Sequence, residues 1–152
     1  MPASSSYSTT RAPKLKRVPV SGLLSLDNND ATARNCRVAY EGVGIDWKSV
    51  VHWNVCPFPT ANTENAGSLP AERERGVQWT RRVLALCSDV EIVLPLGAMA
   101  RDGWKRAGIQ NADVYDFAGR KIPHCSNRGF NAVKGNRDVF YEAIRDLKRF
   151  LE

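Results

Sequence analysis

Hydrophobic and polar positions along this chain follow two periods. The run Ser49-Val50-Val51-His52-Trp53-Asn54-Val55-Cys56 is β-branched and aromatic, which predicts a buried strand over 49–56 ended by Pro57 and Pro59. Glu91–Leu96 predicts a second strand with Gly97 as its turn, and Lys121–His124 a third. Helical spacing fills the intervals. Asp27-Asn28-Asn29-Asp30 supplies N-cap chemistry for a helix over 30–41, stopped by Gly42 and Gly44. Pro70 opens a helix over 70–88 with Val77, Val83, Leu84 and Leu86 on its apolar face. Further helices are expected over 98–107 and 137–151, the latter carrying Val139, Phe140, Ile144, Leu147 and Leu151 at helical spacing. Residues 59–69 read as a polar loop, and 109–120 as a loop with room for a short strand. Strands alternating with helices predict an α/β fold, a three-layer sandwich with a short central parallel sheet.

Residues 1–20 lack periodicity and are rich in Ser, Thr, Pro and basic side chains. They are expected to form a basic tail, extended at most over Leu15–Val20, ahead of an ordered domain spanning 21–152. A chain of 152 residues favours one domain with one core.

Charge narrows the partner. The formal net charge is +6 and the isoelectric point is near 9.4, which favours a polyanion. The basic residues gather at Arg11, Lys14, Lys16 and Arg17, and at Arg73, Arg75, Arg81 and Arg82; the second group also reads as a solvated helix face. Cys36, Cys56, Cys87 and Cys125 are widely spaced, and without a C-x-x-C pair neither a zinc ribbon nor an iron–sulfur cluster has a local ligand set. No metal or cofactor is expected. Cys56 and Cys87 lie in apolar runs and are expected to pack as small hydrophobes in a reducing compartment. No apolar stretch reaches 18 residues, and residues 1–10 do not resemble a secretory signal, so an intracellular location without membrane partners is expected.

Two motifs close apolar runs with polar side chains, Trp53-Asn54-Val55-Cys56-Pro57 and His124-Cys125-Ser126-Asn127-Arg128-Gly129. In a parallel sheet, such positions open onto the ligand crevice at the carboxyl ends of the strands. Asn54 either reads the edge of a planar amide-like ligand or ties down its own turn. His124 is either a donor to an oxygen that gains negative charge or a structural histidine. Ser126, Asn127 and Arg128 suit phosphate contacts, or else a capped loop. Lys134, Gly135, Asn136 and Arg137 precede a helix N-terminus, where anions bind readily. His52 is expected to pack inside its strand, and Trp53 in the core.

Together these residues resemble the uracil-DNA glycosylase superfamily, over about residues 21–151. Ser21-Gly22-Leu23-Leu24-Ser25-Leu26-Asp27-Asn28-Asn29-Asp30-Ala31-Thr32-Ala33-Arg34-Asn35 is similar to the segment after the family's first catalytic loop. Trp53-Asn54-Val55-Cys56-Pro57 resembles the strand whose asparagine reads uracil. Ile92–Gly97 with Ala100-Arg101-Asp102-Gly103-Trp104 resembles the next strand and helix. His124-x-Ser126 with Gly135-Asn136-Arg137 resembles the last catalytic loop and final helix. The resemblance implies His124 as the catalytic group, Asn54 and Leu23 at the base, and Ser126, Asn127, Arg128 and Arg137 on DNA, in a monomer without cofactor that excises uracil or a related deaminated base from single- or double-stranded DNA.

The chain also departs from the family pattern. Where the family carries an acidic or amide residue in its first loop, Thr10-Arg11-Ala12-Pro13-Lys14-Leu15-Lys16-Arg17-Val18-Pro19-Val20 holds no carboxylate. Leu23 stands where a base-stacking aromatic is common, and Cys125 replaces the proline usual after the histidine. Three readings follow: a DNA glycosylase, a non-cleaving nucleic-acid binder with a degraded first loop, and an α/β interaction domain that binds no nucleic acid.

Overall fold

The computed structural model describes residues 25–60, 68–110, 114–117 and 119–152. The tail, its Leu15–Val20 piece and Leu23 lie outside the described residues. Among those described, the elements in chain order are α1 (Ala31–Val43), a 3-10 turn (Trp47–Ser49), α2 (Pro70–Leu86), β1 (Ile92–Val93), α3 (Gly97–Ala107), β2 (Tyr115–Asp116), α4 (Asn127–Ala132) and α5 (Asn136–Phe150).

The helices form where their caps and apolar spacing dictate. Asp30 accepts from the Ala33 N–H at 2.9 Å and starts α1, which runs two residues past the expected stop to Gly44 at φ 72°. Gly42 is tolerated inside this helix, so the second glycine ends it. At α2, the Glu72 carboxylate accepts from the N-cap Leu69 N–H at 2.7 Å, while Pro70 at the first helical position has no N–H to satisfy. Helix α5 carries Asp138 in its first turn and Lys148 and Arg149 in its last, complementing the helix dipole.

The core gathers on α5. Phe140 and Ile144 are fully buried and meet Cys36 and Ala39 of α1, Phe130 of α4, and Ile122. The Phe130 and Phe140 rings lie 5.3 Å apart. A second layer pairs α2 with α3. Asp102 accepts from Arg73 Nε at 2.5 Å and from Arg106 Nε at 2.7 Å, and Arg106 also reaches Glu74 at 3.1 Å. The two guanidiniums, Arg106 first, hold the Asp102 carboxyl below its usual value.

The arginine-rich helix is therefore not simply a solvated face. Arg73 is buried against Asp102, Arg81 donates to the Ala107 carbonyl at 2.8 Å, Arg75 lies 4.3 Å over the Phe58 ring, and Arg82 lies 4.9 Å over Trp79. Each of the four has a partner within the fold.

The fold mixes helices with a short parallel sheet, as the α/β reading expects, but the sheet is smaller and differently composed. β1 pairs in parallel with β2, Ile92 opposite Tyr115 and Val93 opposite Asp116. The Tyr115 and Phe117 N–H groups donate to the Glu91 and Val93 carbonyls at 2.8 and 3.0 Å. The second strand thus comes from the 109–120 loop and not from 49–56 or 121–124. Residues 121–124 form no ladder among the described residues. Pro123 lacks an N–H, and the Ile122 carbonyl is taken by the Gly97 N–H at 2.9 Å and by Arg101 Nη1 at 3.0 Å. Residues 50–54 likewise have no ladder partner among the described residues. Trp53, expected in the core, is 39% exposed, with its indole N–H 3.4 Å from Thr80 Oγ1. Cys36 and Cys125 are the buried cysteines, whereas Cys56 and Cys87 are only half-buried. Among the described residues, no helix is long and apolar enough to cross a membrane.

Candidate functional site

The site begins where buried Ile122, held by the first residues of α3, hands the chain to Pro123 and His124. Gly97 makes that junction fit. Its φ of 87° disfavours a side chain, and a β-carbon there would come 3.2 Å from the His124 β-carbon. On the other flank, a β-carbon on Gly129 would collide with the His124 carbonyl. The histidine backbone is thereby clamped between two glycines, while the residue as a whole remains open to solvent.

The loop then folds onto itself. The Ser126 N–H donates to His124 Nδ1 at 3.1 Å, and Ser126 Oγ accepts from the Gly129 N–H at 3.1 Å, capping α4. A backbone N–H can only donate, so Nδ1 is the accepting nitrogen and the proton of the neutral ring sits on Nε2. Burial of part of the ring lowers the His124 pKa, which keeps the imidazole neutral at pH 7. The arrangement presents a neutral N–H donor on a partly exposed ring.

Helix α1 braces the loop from behind. Asn35 Nδ2 donates to the Cys125 carbonyl at 2.8 Å and to Asn127 Oδ1 at 3.1 Å. Asn136 Nδ2 donates to the Gly129 carbonyl at 2.7 Å and ties α5 to α4. Asn127 and Arg128 are both exposed, and Asn127 Oδ1 is engaged by Asn35. Arg137 is exposed and lies 5.3 Å over the Phe130 ring. Helix α4 turns the Ser126–Arg128 segment, read from sequence as binding loop or capped loop, into a helix start.

Asn54 is exposed at the other motif. Its neighbour Val55 fits against α2 and α3 only because Gly76 and Gly103 carry no β-carbon: one at Gly103 would approach the Val55 side chain to 2.7 Å, and one at Gly76 would meet its carbonyl. Both motifs therefore touch α3, His124 at Gly97 and Val55 at Gly103. Those positions are six residues apart, about 9 Å along a helix axis.

His52, as expected, packs: its Nε2 lies 3.1 Å from the Tyr40 hydroxyl, and burial lowers its pKa. A separate apolar cavity of about 420 Å³ lies between residues 49–55 and β1, with Val55, Leu84, Ile92 and Trp104 in its wall; neither Asn54 nor His124 lines it. Asp30, expected as a cap, is one, and it acts electrostatically on Cys36 and Cys125 behind the histidine loop. Among the described residues, no cluster of three His, Cys, Asp or Glu side chains could hold a metal.

Sequence reasoning gave no role to Asn35, Cys36 or Gly129. Asn35 and Cys36 reach the site only through a contact across 89 or more residues, which no local pattern encodes. Comparison with family models, curated proteins and solved structures found no match for this chain.

Proposed function

We propose that this chain is a uracil-DNA glycosylase-like domain that recognises uracil or a related deaminated base flipped from DNA, with His124 as the donor to the departing base. The observation that carries the reading is the Ser126 N–H to His124 Nδ1 bond, which leaves a neutral ring with its proton on Nε2. Cleaving an N-glycosidic bond places negative charge on the leaving base. A fixed N–H aimed at a base carbonyl would stabilise that charge, an effect worth roughly 10²–10³ in rate for one such donor. Asn54 would read the base edge, accepting from a ring N–H and donating to a carbonyl. Arg128 and Arg137, both exposed beside α4 and the start of α5, would meet phosphates. The finer fold belongs to the same proposal: a three-layer, glycosylase-like arrangement about the short parallel sheet, acting as a monomer on single- or double-stranded DNA inside the cell.

A second reading, a nucleic-acid binder that does not cleave, is favoured by one observation. Asp30, the acid whose charge is felt at Cys125, already serves the α1 N-terminus. No carboxylate in residues 10–20 replaces it. A gel assay with uracil-containing single- and double-stranded oligonucleotides decides between the two. Strand scission after alkali supports the glycosylase. Salt-dependent binding without scission supports the binder. Absence of both overturns the nucleic-acid reading.

A further inference from the structure

Cys36 Sγ on α1 and Cys125 Sγ in the histidine loop lie 3.0 Å apart, both fully buried and both reduced. A disulfide needs the sulfurs at about 2.05 Å, so they must close by about 1 Å. The backbone already brings them together: Asn35, the residue before Cys36, donates to the carbonyl of Cys125 itself. With Cys36 fixed in α1 and the loop backbone held by Gly97, Gly129 and Asn35, the small movement falls on rotation of the two cysteine side chains.

We propose that Cys36 and Cys125 are an oxidation site, forming an intramolecular disulfide that staples α1 to the loop carrying His124. At 3.0 Å the two sulfurs are within S–H···S reach, so a thiolate on either one is stabilised by the proton of the other. Cys36 is held inside α1, whereas Cys125 lies in a segment outside any helix or ladder, so opening of that loop exposes Cys125 as the first sulfur to react. With a peroxide as oxidant, the Cys125 thiolate attacks one peroxide oxygen, the O–O bond breaks, and hydroxide leaves, giving a sulfenic acid. Cys36 then gives up its proton and attacks that sulfur, the S–O bond breaks, and water leaves. Overall, two thiols lose two electrons and two protons, and one hydrogen peroxide becomes two waters. Burial makes the first step wait on opening of the loop, so the reaction is slow in the folded protein.

The inference rests on the cysteine pair alone, so its outcome is independent of whether the chain cleaves DNA. Folded protein is treated with hydrogen peroxide or diamide, blocked with an alkylating agent, digested without reduction and mapped by mass spectrometry. The expected product is a monomer lighter by about 2 Da before alkylation, with the peptides of Cys36 and Cys125 joined and Cys56 and Cys87 carrying the alkyl group. Its thermal midpoint should rise by about 5–15 °C and return on reduction, because the bridge closes a loop of some 90 residues. The double variant Cys56→Ser, Cys87→Ser should respond identically, and Cys125→Ser should not respond. A bridge between any other pair, oxidation that stops at sulfenic or sulfinic acid, or four free thiols under conditions that oxidise the denatured chain would each overturn the proposal.

Discussion

Gly129 and His124 are in such close backbone contact that a β-carbon on the glycine would collide with the histidine carbonyl group. The same glycine donates its N–H to the Ser126 cap, so it cannot withdraw without uncapping α4. Gly129→Ala should therefore displace the His124–Ser126 turn and cost about 1–3 kcal/mol of stability, the usual range for overpacking. Urea denaturation measures the loss. A variant as stable as the parent, with the His124 resonances unmoved, would show that the contact yields freely.

Phe140 joins three parts of the core. It is fully buried on α5, its ring lies tilted 5.3 Å from that of Phe130 of α4, and it belongs to the cluster that contains Cys36 and Ala39 of α1. Phe140→Ala should cost about 3–5 kcal/mol, because the surrounding helices cannot all collapse into the space it leaves. The thermal midpoint should fall by about 10 °C or more. Exposed Val139 on the next position is the control, and its alanine variant should change stability by less than about 1 kcal/mol.

Acid should weaken the fold first through its histidines. His52 and His124 both have pKa values lowered by burial, so the folded state binds their protons less readily than the unfolded chain does. Stability is then complete above the unfolded histidine value of about 6.5 and is lost as pH falls through the lower folded values. Protonating His124 also turns Nδ1 into a donor facing the Ser126 N–H, which breaks that bond. The Ser126 amide shift should titrate together with the His124 ring in NMR, below pH 6.5. A Ser126 amide indifferent to that titration would remove the assigned tautomer.

Much of the helical framework was legible because caps and periodicity are local. Asp30, Pro70 and the apolar spacing of 137–151 each placed a helix within two residues. The sheet was not. Val50, Val51 and Val55 carry strand-like composition, yet composition says nothing about a neighbouring edge, and no described segment pairs with theirs. Tyr115-Asp116 lacked the apolar run that marks a buried strand, because both residues are exposed. At the site, His124 and Ser126 were visible as a motif, but the bond between them depends on the turn before α4. The braces Asn35 and Cys36 depend on contacts between distant segments. The arginines of α2 show the same gap: their charge was plain in sequence, and their consumption by Asp102, Ala107, Phe58 and Trp79 was not.

The exposed polar groups His124, Asn54, Arg128 and Arg137 carry separable roles in the proposed reaction. Where excision of uracil is measured, His124→Ala should lower turnover by roughly 10²–10³ while leaving DNA affinity nearly unchanged, since its donor acts on charge that appears only in the transition state. Asn54→Asp should instead erode discrimination between uracil and other bases, because a carboxylate cannot donate to a carbonyl. Arg128→Ala should weaken binding evenly across sequences and reduce the salt slope by about 1, as the loss of one phosphate contact does. Arg137→Ala should do the same and also lower stability, since that guanidinium covers Phe130. With no carboxylate in residues 10–20 and Asp30 engaged as a cap, turnover by the parent chain should be slow or undetectable. Rapid turnover would show that another group serves the sugar cation or the water. Asp27, whose backbone N–H bonds Ser25 Oγ at 3.1 Å at the edge of the described residues, is then the first to replace. Asp27→Asn abolishing that turnover, with binding intact, would assign it the role.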